Sequence, residues 1–366
     1  MTTTQMQLRP VQGFILVSVL WLLAGLTVVA GLVSRYGVTA AERAQLVRLR
    51  SSAEIAMAST RSDVLLLLAA TRATTFGLGG ASAPLYVDNR VYTGRDGTLV
   101  RIQDARGLID LNRSSDEVLE RLFTVCGAPV DQAASLVARL RDYTDVDDLI
   151  RLNGAERDAY AAAGKPAPRN APLQEAYELW QVLGMAAIRP EWVLRGCNEV
   201  VTVEAGGLIN IRTAPYLALL AAGYEESIAR ALSSQTREEE AYRTAQSLQN
   251  FDSSANPFAA TFSTFAGRTF RVQHFDPQAG LQLEYVVILN TGLPDKPWLL
   301  KGESMVSLPQ ALRLLWVPAG PVDTPASPPL SSPPLAVAAP SPQLPQFNTR
   351  QPKETDSAPQ NSLPFL

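Results

Sequence analysis

The sequence predicts an α+β protein: one long N-terminal helix packs on an antiparallel sheet, a large all-helical insertion interrupts the sheet, and a Pro-rich tail follows. Three observations predict it. An uncharged apolar run passes, without a proline, into an amphipathic helix pattern. Runs of alternating polarity stand on both sides of a long helical stretch. Within that stretch a nine-residue segment recurs at an offset of 100 residues.

Phe14 to Val33 is a run of 20 residues without a charge. As a helix it spans about 30 Å, the thickness of a bilayer core. Residues 1–13 form a short leader whose only charged side chain is Arg9. Three readings compete: a secretory signal peptide, a plain membrane anchor, and a leader cut between Gly13 and Phe14. Val28-Val29-Ala30 before Gly31 offers a signal-peptidase site. Two features favour the cut at Gly13-Phe14. That junction lies at the border between polar leader and apolar run, whereas a signal-peptidase site lies after the run. The helix pattern also continues, so that 14–72 reads as one helix. Leu46, Leu49, Ala53, Ala56, Met57, Thr60, Val64, Leu67 and Leu68 recur at three- and four-residue steps, with Arg43, Arg48, Arg50, Glu54 and Arg61 largely between them.

The sheet is expected from two segments, 73–103 and 256–292. In the first, Val91-Tyr92 and Leu99 to Ile102 flank the hairpin signal Asp96-Gly97. In the second, Thr269–Phe275 and Leu281–Leu289 alternate on either side of Asp276 to Gly280. Residues 104–250 read as the helical insertion. Asp104-Ala-Arg-Gly-Leu-Ile-Asp-Leu-Asn112 matches Glu204-Ala-Gly-Gly-Leu-Ile-Asn-Ile-Arg212, with four identities and three conservative pairs. Each copy precedes a helix start. Ser114 and Glu117 have capping-box spacing, and Thr213 can cap a helix with Pro215 in its first turn. The insertion therefore reads as two related units. No pattern assigns 293–316 to body or tail. Residues 317–366 are rich in Pro, Ser and Ala and are expected to be disordered.

Composition removes several function classes. The net charge is −3 and no basic stripe is present, so nucleic acid is not an expected partner. Leu219 to Glu225 faintly resembles a helix-hairpin-helix turn, but Glu225 stands where a second glycine would let a phosphate approach. The sole histidine, His274, sits in a strand pattern, and no G-x-S-x-G motif accompanies it. The two cysteines, Cys126 and Cys197, lack metal-ligand spacing. They are either a disulfide, if the body lies outside the cytoplasm, or two small buried apolar side chains. Asp142, Asp145, Asp147, Asp148 and Glu156 put five carboxylates within fifteen residues around a turn. A hard cation such as Ca²⁺ takes six to eight oxygens, although the spacing is not that of an EF-hand. Solvated acids at a helix junction are the other reading.

Taken together, these residues resemble the type II secretion minor pseudopilins of the general secretion pathway protein K (GspK) family. The resemblance rests on Gly13-Phe14, on Gly107 to Asn112 and Gly207 to Arg212, on Arg141 to Asp148 with Asn153-Gly154-Ala155-Glu156 and Tyr160, and on Arg169-Asn170-Ala171-Pro172 leading to Glu178-Leu179 and Gly184-Met185. It covers about 13–289. Arg212 and Asp110 depart from the family's Asn, and Tyr143 from a frequent Trp. The resemblance implies a pilin-like fold with no enzymatic activity, and a prepilin leader cut by prepilin peptidase with N-methylation of Phe14. It implies a single-pass inner-membrane protein with a periplasmic body. It places the chain at the pseudopilus tip, where it initiates and caps the fibre during export of folded proteins. The partners implied are the other minor pseudopilins (I, J and H types) and the inner-membrane secretion platform, and the calcium reading gains from it. Most pilin-like subunits carry glutamate five residues into the mature chain; here that position is Ser18. The alternative is a membrane-anchored or secreted periplasmic binding protein, or a metal-dependent hydrolase using the acidic cluster.

Overall fold

The computed structural model describes residues 12–74, 77–79, 85–207, 209–233, 262–263, 265–290, 292, 296–313 and 316. Expectations for 1–11, for 234–250 of the insertion, for 256–261 and for the tail at 317–366 fall outside these residues.

Helix α1 runs Gln12–Ala70. It is long and apolar enough to cross a membrane, with a mean hydropathy of 2.5 in its most apolar window. A two-residue ladder, β1 (Ala73–Thr74) with β2 (Gly77–Leu78), turns the chain towards the sheet. The sheet has five antiparallel strands: β3 (Asp88–Thr93), β4 (Leu99–Asp104), β9 (Thr269–Asp276), β10 (Leu281–Leu289) and β11 (Trp298–Ser307), in the order β11-β10-β9-β4-β3. One face packs on the second half of α1. There Ala53, Met57, Val64 and Leu68 meet Val100, Ile102, Phe270, Val272, Tyr285 and Val287. The apolar stripe of α1 begins at Ala53 rather than Leu46, which is 66% exposed because the sheet does not reach it. Thr60 fixes the β3–β4 turn by accepting the Arg95 N–H at 3.1 Å. Gly94 beside it permits that approach, since a Cβ there would strike the Thr60 side chain.

The fifth strand lies within 293–316, which sequence pattern left unassigned, so the sheet extends past 292 to Ser307. As an edge strand β11 is mostly exposed and needs no apolar alternation. Arg61 of α1 holds it through Glu303 at 2.9 Å.

His274 lies between sheet and helix, fully enclosed, its Nε2 2.8 Å from the Tyr285 hydroxyl. Burial, with a smaller effect from Arg61, lowers its pKa to about 3. The folded state therefore holds it neutral while the unfolded chain takes up a proton below about 6.5. Its contribution is intact above pH 6.5 and is lost progressively as pH falls towards 3, amounting to about 3 kcal/mol by pH 4.5. The stability advantage of wild type over His274→Gln should shrink by that order between pH 7 and 4.5 in denaturant titrations. A pH-independent difference would refute this.

The helical region leaves the sheet after Asp104 and returns at Gly267. After β5 (Ile109–Asp110) come α2 (Asp116–Val125), α3 (Val130–Thr144), α4 (Arg157–Ala162), a 3-10 turn at Ala176–Gln181, α5 (Met185–Leu194) and a second 3-10 turn at Cys197–Val200. The second copy follows as β6 (Val201–Thr202), β7 (Ile209–Asn210), α6 (Tyr216–Ala221) and α7 (Glu226–Ser233). The two copies adopt equivalent pairings: β5 lies parallel to β6, and β7 parallel to β8 (Phe262–Ser263). Helices α2 and α6 pack together, with Arg121 Nε donating to the Ala221 carbonyl at 2.9 Å. Ser115, not Ser114, precedes α2 as its N-cap, and the Ser114 carbonyl accepts from Arg141. Thr213 does not cap α6; its hydroxyl donates to Asp104. Cys126 and Cys197 form a disulfide inside the helical core, joining the end of α2 to the turn before β6.

Candidate metal centre and processing site

The acidic block begins where α3 ends. Asp142 has a fully buried side chain, and its Oδ2 accepts the Ala155 N–H at 2.8 Å. The Arg151 N–H lies 3.3 Å away. These bonds fold 145–155 back onto the helix. Gly154 is required there, because a Cβ would fall on the Asp142 carboxylate. Asn153, at φ 64°, makes the left-handed turn before it, a conformation asparagine tolerates. Burial raises the Asp142 carboxyl above its ordinary range.

Glu156 precedes α4 and is 3% exposed, and neither of its carboxylate oxygens has a hydrogen-bond partner among the described residues. Burial first, then repulsion from Asp142, Asp145, Asp148 and Asp147, raises its pKa to about 7. Asp145 likewise has one buried oxygen, Oδ1, without a partner. The Arg151 guanidinium stands between Asp142 and Asp145, at 3.4 and 3.3 Å. Asp147 and Asp148 are exposed and hold the loop instead. Asp147 accepts the Leu149 N–H, and Asp148 accepts the Asn170 side chain. Among the described residues, no three acidic, His or Cys side chains are gathered as a ready metal cage. The donors are nevertheless of the type a hard cation takes, and partnerless buried carboxylate oxygens are costly without one. Asp142 and Glu156 are buried and Asp145 is half-buried, with Arg151 between Asp142 and Asp145.

Gly13 and Phe14 lie in the first turn of α1. Ser18 is on the exposed surface of the same helix. The sequence missed a buried staple: Asp104, at the end of β4, accepts from Asn210 Nδ2 (2.9 Å), Thr213 Oγ1 (3.1 Å), Gly267 N (3.0 Å) and Arg106 N (3.1 Å). The copy's offset hinted at it, since 110 and 210 are equivalent positions. Asp110 faces four backbone donors, those of Asn112, Arg113, Ala205 and Gly206, and so needs only acceptors. Asn210 faces the Asp104 carboxylate and so needs a donor. That explains why one copy carries Asp and the other Asn.

A long helix, apolar enough in its first half to cross a membrane, laid on an antiparallel sheet with a disulfide-closed helical domain inserted after β4, is a pilin-like fold. Residues 98–190 match the family described as Type II secretion system (T2SS), protein K. That segment runs from β4 through most of α5. Among solved structures, a chain of the GspK-GspI-GspJ complex from the enterotoxigenic Escherichia coli Type 2 Secretion System is similar at 17% identity, covering 74% of this chain and 99% of that one with a TM-score of 0.49. No curated protein matches the chain.

Proposed function

We propose that this chain is a minor pseudopilin of the type II secretion system, anchored in the inner membrane by α1 with its body in the periplasm. The observation that carries the reading is the protein K match across the junction where the helical domain leaves the sheet. In this reading the chain initiates and caps the pseudopilus, with the I-, J- and H-type minor pseudopilins and the inner-membrane platform as partners. Ser18 supports the tip position. Without a glutamate there, the subunit offers no carboxylate to the terminal ammonium of a neighbour, which a first subunit does not need. The inserted domain would obstruct a subunit stacking above the body but not one below. The reading is structural rather than enzymatic. The enclosed His274 leaves the chain's sole imidazole unavailable as a general base.

The test is isolation of assembled fibres from cells containing prepilin peptidase. The chain is expected only at fibre ends, with a mature N-terminus at N-methylated Phe14 by mass spectrometry. A start at Gly31, or the chain distributed along the fibre, would sink the proposal.

Calcium belongs to the same reading. Asp142, Asp145 and Glu156 would hold it from the inner side, with Asp147 and Asp148 available from the outer. Its chemistry there is charge neutralisation that locks the loop. Calorimetry on the detergent-solubilised protein should show tighter binding of Ca²⁺ than of Mg²⁺. Saturation at a hundredfold over Kd should add about 3 kcal/mol of stability. Glu156→Gln should weaken binding by tenfold or more. A melting temperature indifferent to chelator would return these acids to solvated loop residues.

A further inference from the structure

Asn153-Gly154 is the chain's sole Asn-Gly pair, and it closes the loop that folds back on Asp142. Asn153 is exposed, and among the described residues its side-chain amide has no hydrogen-bond partner. The backbone dictates both residues. Position 153 stands at φ 64°, which asparagine tolerates and most side chains do not. Position 154 has no room for a Cβ, which would lie 1.9 Å from Asp142 Oδ2. The fold therefore places an unprotected asparagine before the one residue that offers its main-chain nitrogen no steric shield. Asn89, Asn170 and Asn290 also take positive φ, but Arg90, Ala171 and Thr291 follow them.

Such a pair reacts with water alone. The Gly154 nitrogen loses its proton to solvent and bonds to Asn153 Cγ, and the side-chain nitrogen leaves as ammonia. A five-membered imide results. Water then opens it at either carbonyl. Breaking the bond from Gly154 N to Cγ gives an ordinary aspartate. Breaking the bond from Gly154 N to the Asn153 main-chain carbonyl gives isoaspartate, whose main chain runs through Cγ and is longer by a methylene. In the closed loop the attack is held off. The Gly154 N–H donates to the Arg151 carbonyl at 2.8 Å. On either side of it Asp142 accepts the Arg151 N–H at 3.3 Å and the Ala155 N–H at 2.8 Å. The nitrogen is released only when this small unit opens.

We propose that Asn153-Gly154 is a deamidation site gated by Asp142, and that its conversion to isoaspartate unlocks the acidic loop. The added methylene lengthens the main chain between residues 151 and 155, so the Asp142 carboxylate no longer takes both N–H groups at once. The product also adds a negative charge to a block already rich in carboxylates. Neither the secretion role nor calcium enters the reaction, so its test fails separately from theirs.

The test ages the full-length protein in detergent at mildly alkaline pH, where the nitrogen loses its proton more readily. Trypsin cuts after Arg151 and Arg157, so 152–157 is released as one peptide. Mass spectrometry with isoaspartate-specific fragmentation then follows it against an unaged sample. Asn153 should convert, chiefly to isoaspartate, while Asn89, Asn112, Asn170 and Asn290 stay intact. Folded wild type should convert about tenfold more slowly than the same chain in urea, and Asp142→Ala about tenfold faster than folded wild type. The comparison with urea needs no variant and stands even if Asp142→Ala does not fold. In aged protein the Ala155 amide should exchange with deuterium several-fold faster. Asn153→Asp, which adds the charge without the methylene, should leave that amide protected. An Asn153 that stays intact in urea, or that converts equally fast folded and unfolded, would overturn the proposal. So would an Asn153→Asp loop as open as the aged one.

Discussion

Replacing Cys126 and Cys197 together with alanine should lower the melting temperature by on the order of 10 °C. The bridge spans a sequence separation of 71 residues. Closing a loop of that length removes about 4 kcal/mol of conformational freedom from the unfolded chain. For a body of this size each kcal/mol moves the melting point by about 2–4 °C. The enclosed loop contains α3, α4 and α5, hence the acidic block. Both sulfurs are fully buried, so mild reductant should leave the folded protein unchanged and act only once it opens. Scanning calorimetry of wild type and of the double variant checks this. A shift under about 2 °C would mean that the short β5–β6 ladder already constrains the same loop in the unfolded ensemble. A bridge that contributes this much also suits an oxidising compartment.

The second large effect concerns Asp104 and Asn210. Asp104→Ala would strand the Asn210 amide, the Thr213 hydroxyl and the Gly267 and Arg106 N–H groups inside the protein, at a cost of about 3–5 kcal/mol. The exchange of roles is more specific. Asn210→Asp alone sets two carboxylates 2.9 Å apart where an amide donated before. Asp104→Asn alone points an amide donor at another donor. Each should cost about 2–3 kcal/mol. The double exchange lets residue 104 donate to residue 210. It keeps an oxygen for the Arg106 and Gly267 N–H groups, and it leaves residue 210 an acceptor for the Arg212 N–H. It should recover more than half of the summed loss. A double-mutant cycle by urea denaturation measures this coupling. Additivity would show that Asp104 acts through burial rather than through its partner.

Patterns carried by single elements were legible in the chain. The α1 stripe, strands β9 and β10, and the repeat at an offset of 100 follow from periodicity and local residue choice, which need no knowledge of neighbours. The same reasoning set the cap of α2 one residue early, because two adjacent serines offer the same local signal and the spacing to Glu117 favoured the first. It also passed over β11, since an edge strand buries little and so carries no apolar alternation.

The amino-acid order by itself determined that a membrane-length helix continues into an amphipathic one, that a duplicated helical domain interrupts a sheet, and that five carboxylates crowd one turn. Only the tertiary structure divided those carboxylates, enclosing Asp142 and Glu156 while leaving Asp147 and Asp148 in solvent. Only it joined Cys126 to Cys197, set Asn210 against Asp104, and stacked Trp316 on Phe275. The physical reason is range. Helix and strand periodicity arise within a few residues, whereas burial and side-chain partnership depend on groups the fold brings together from 13 positions apart, as Asp142 and Ala155, to 106, as Asp104 and Asn210.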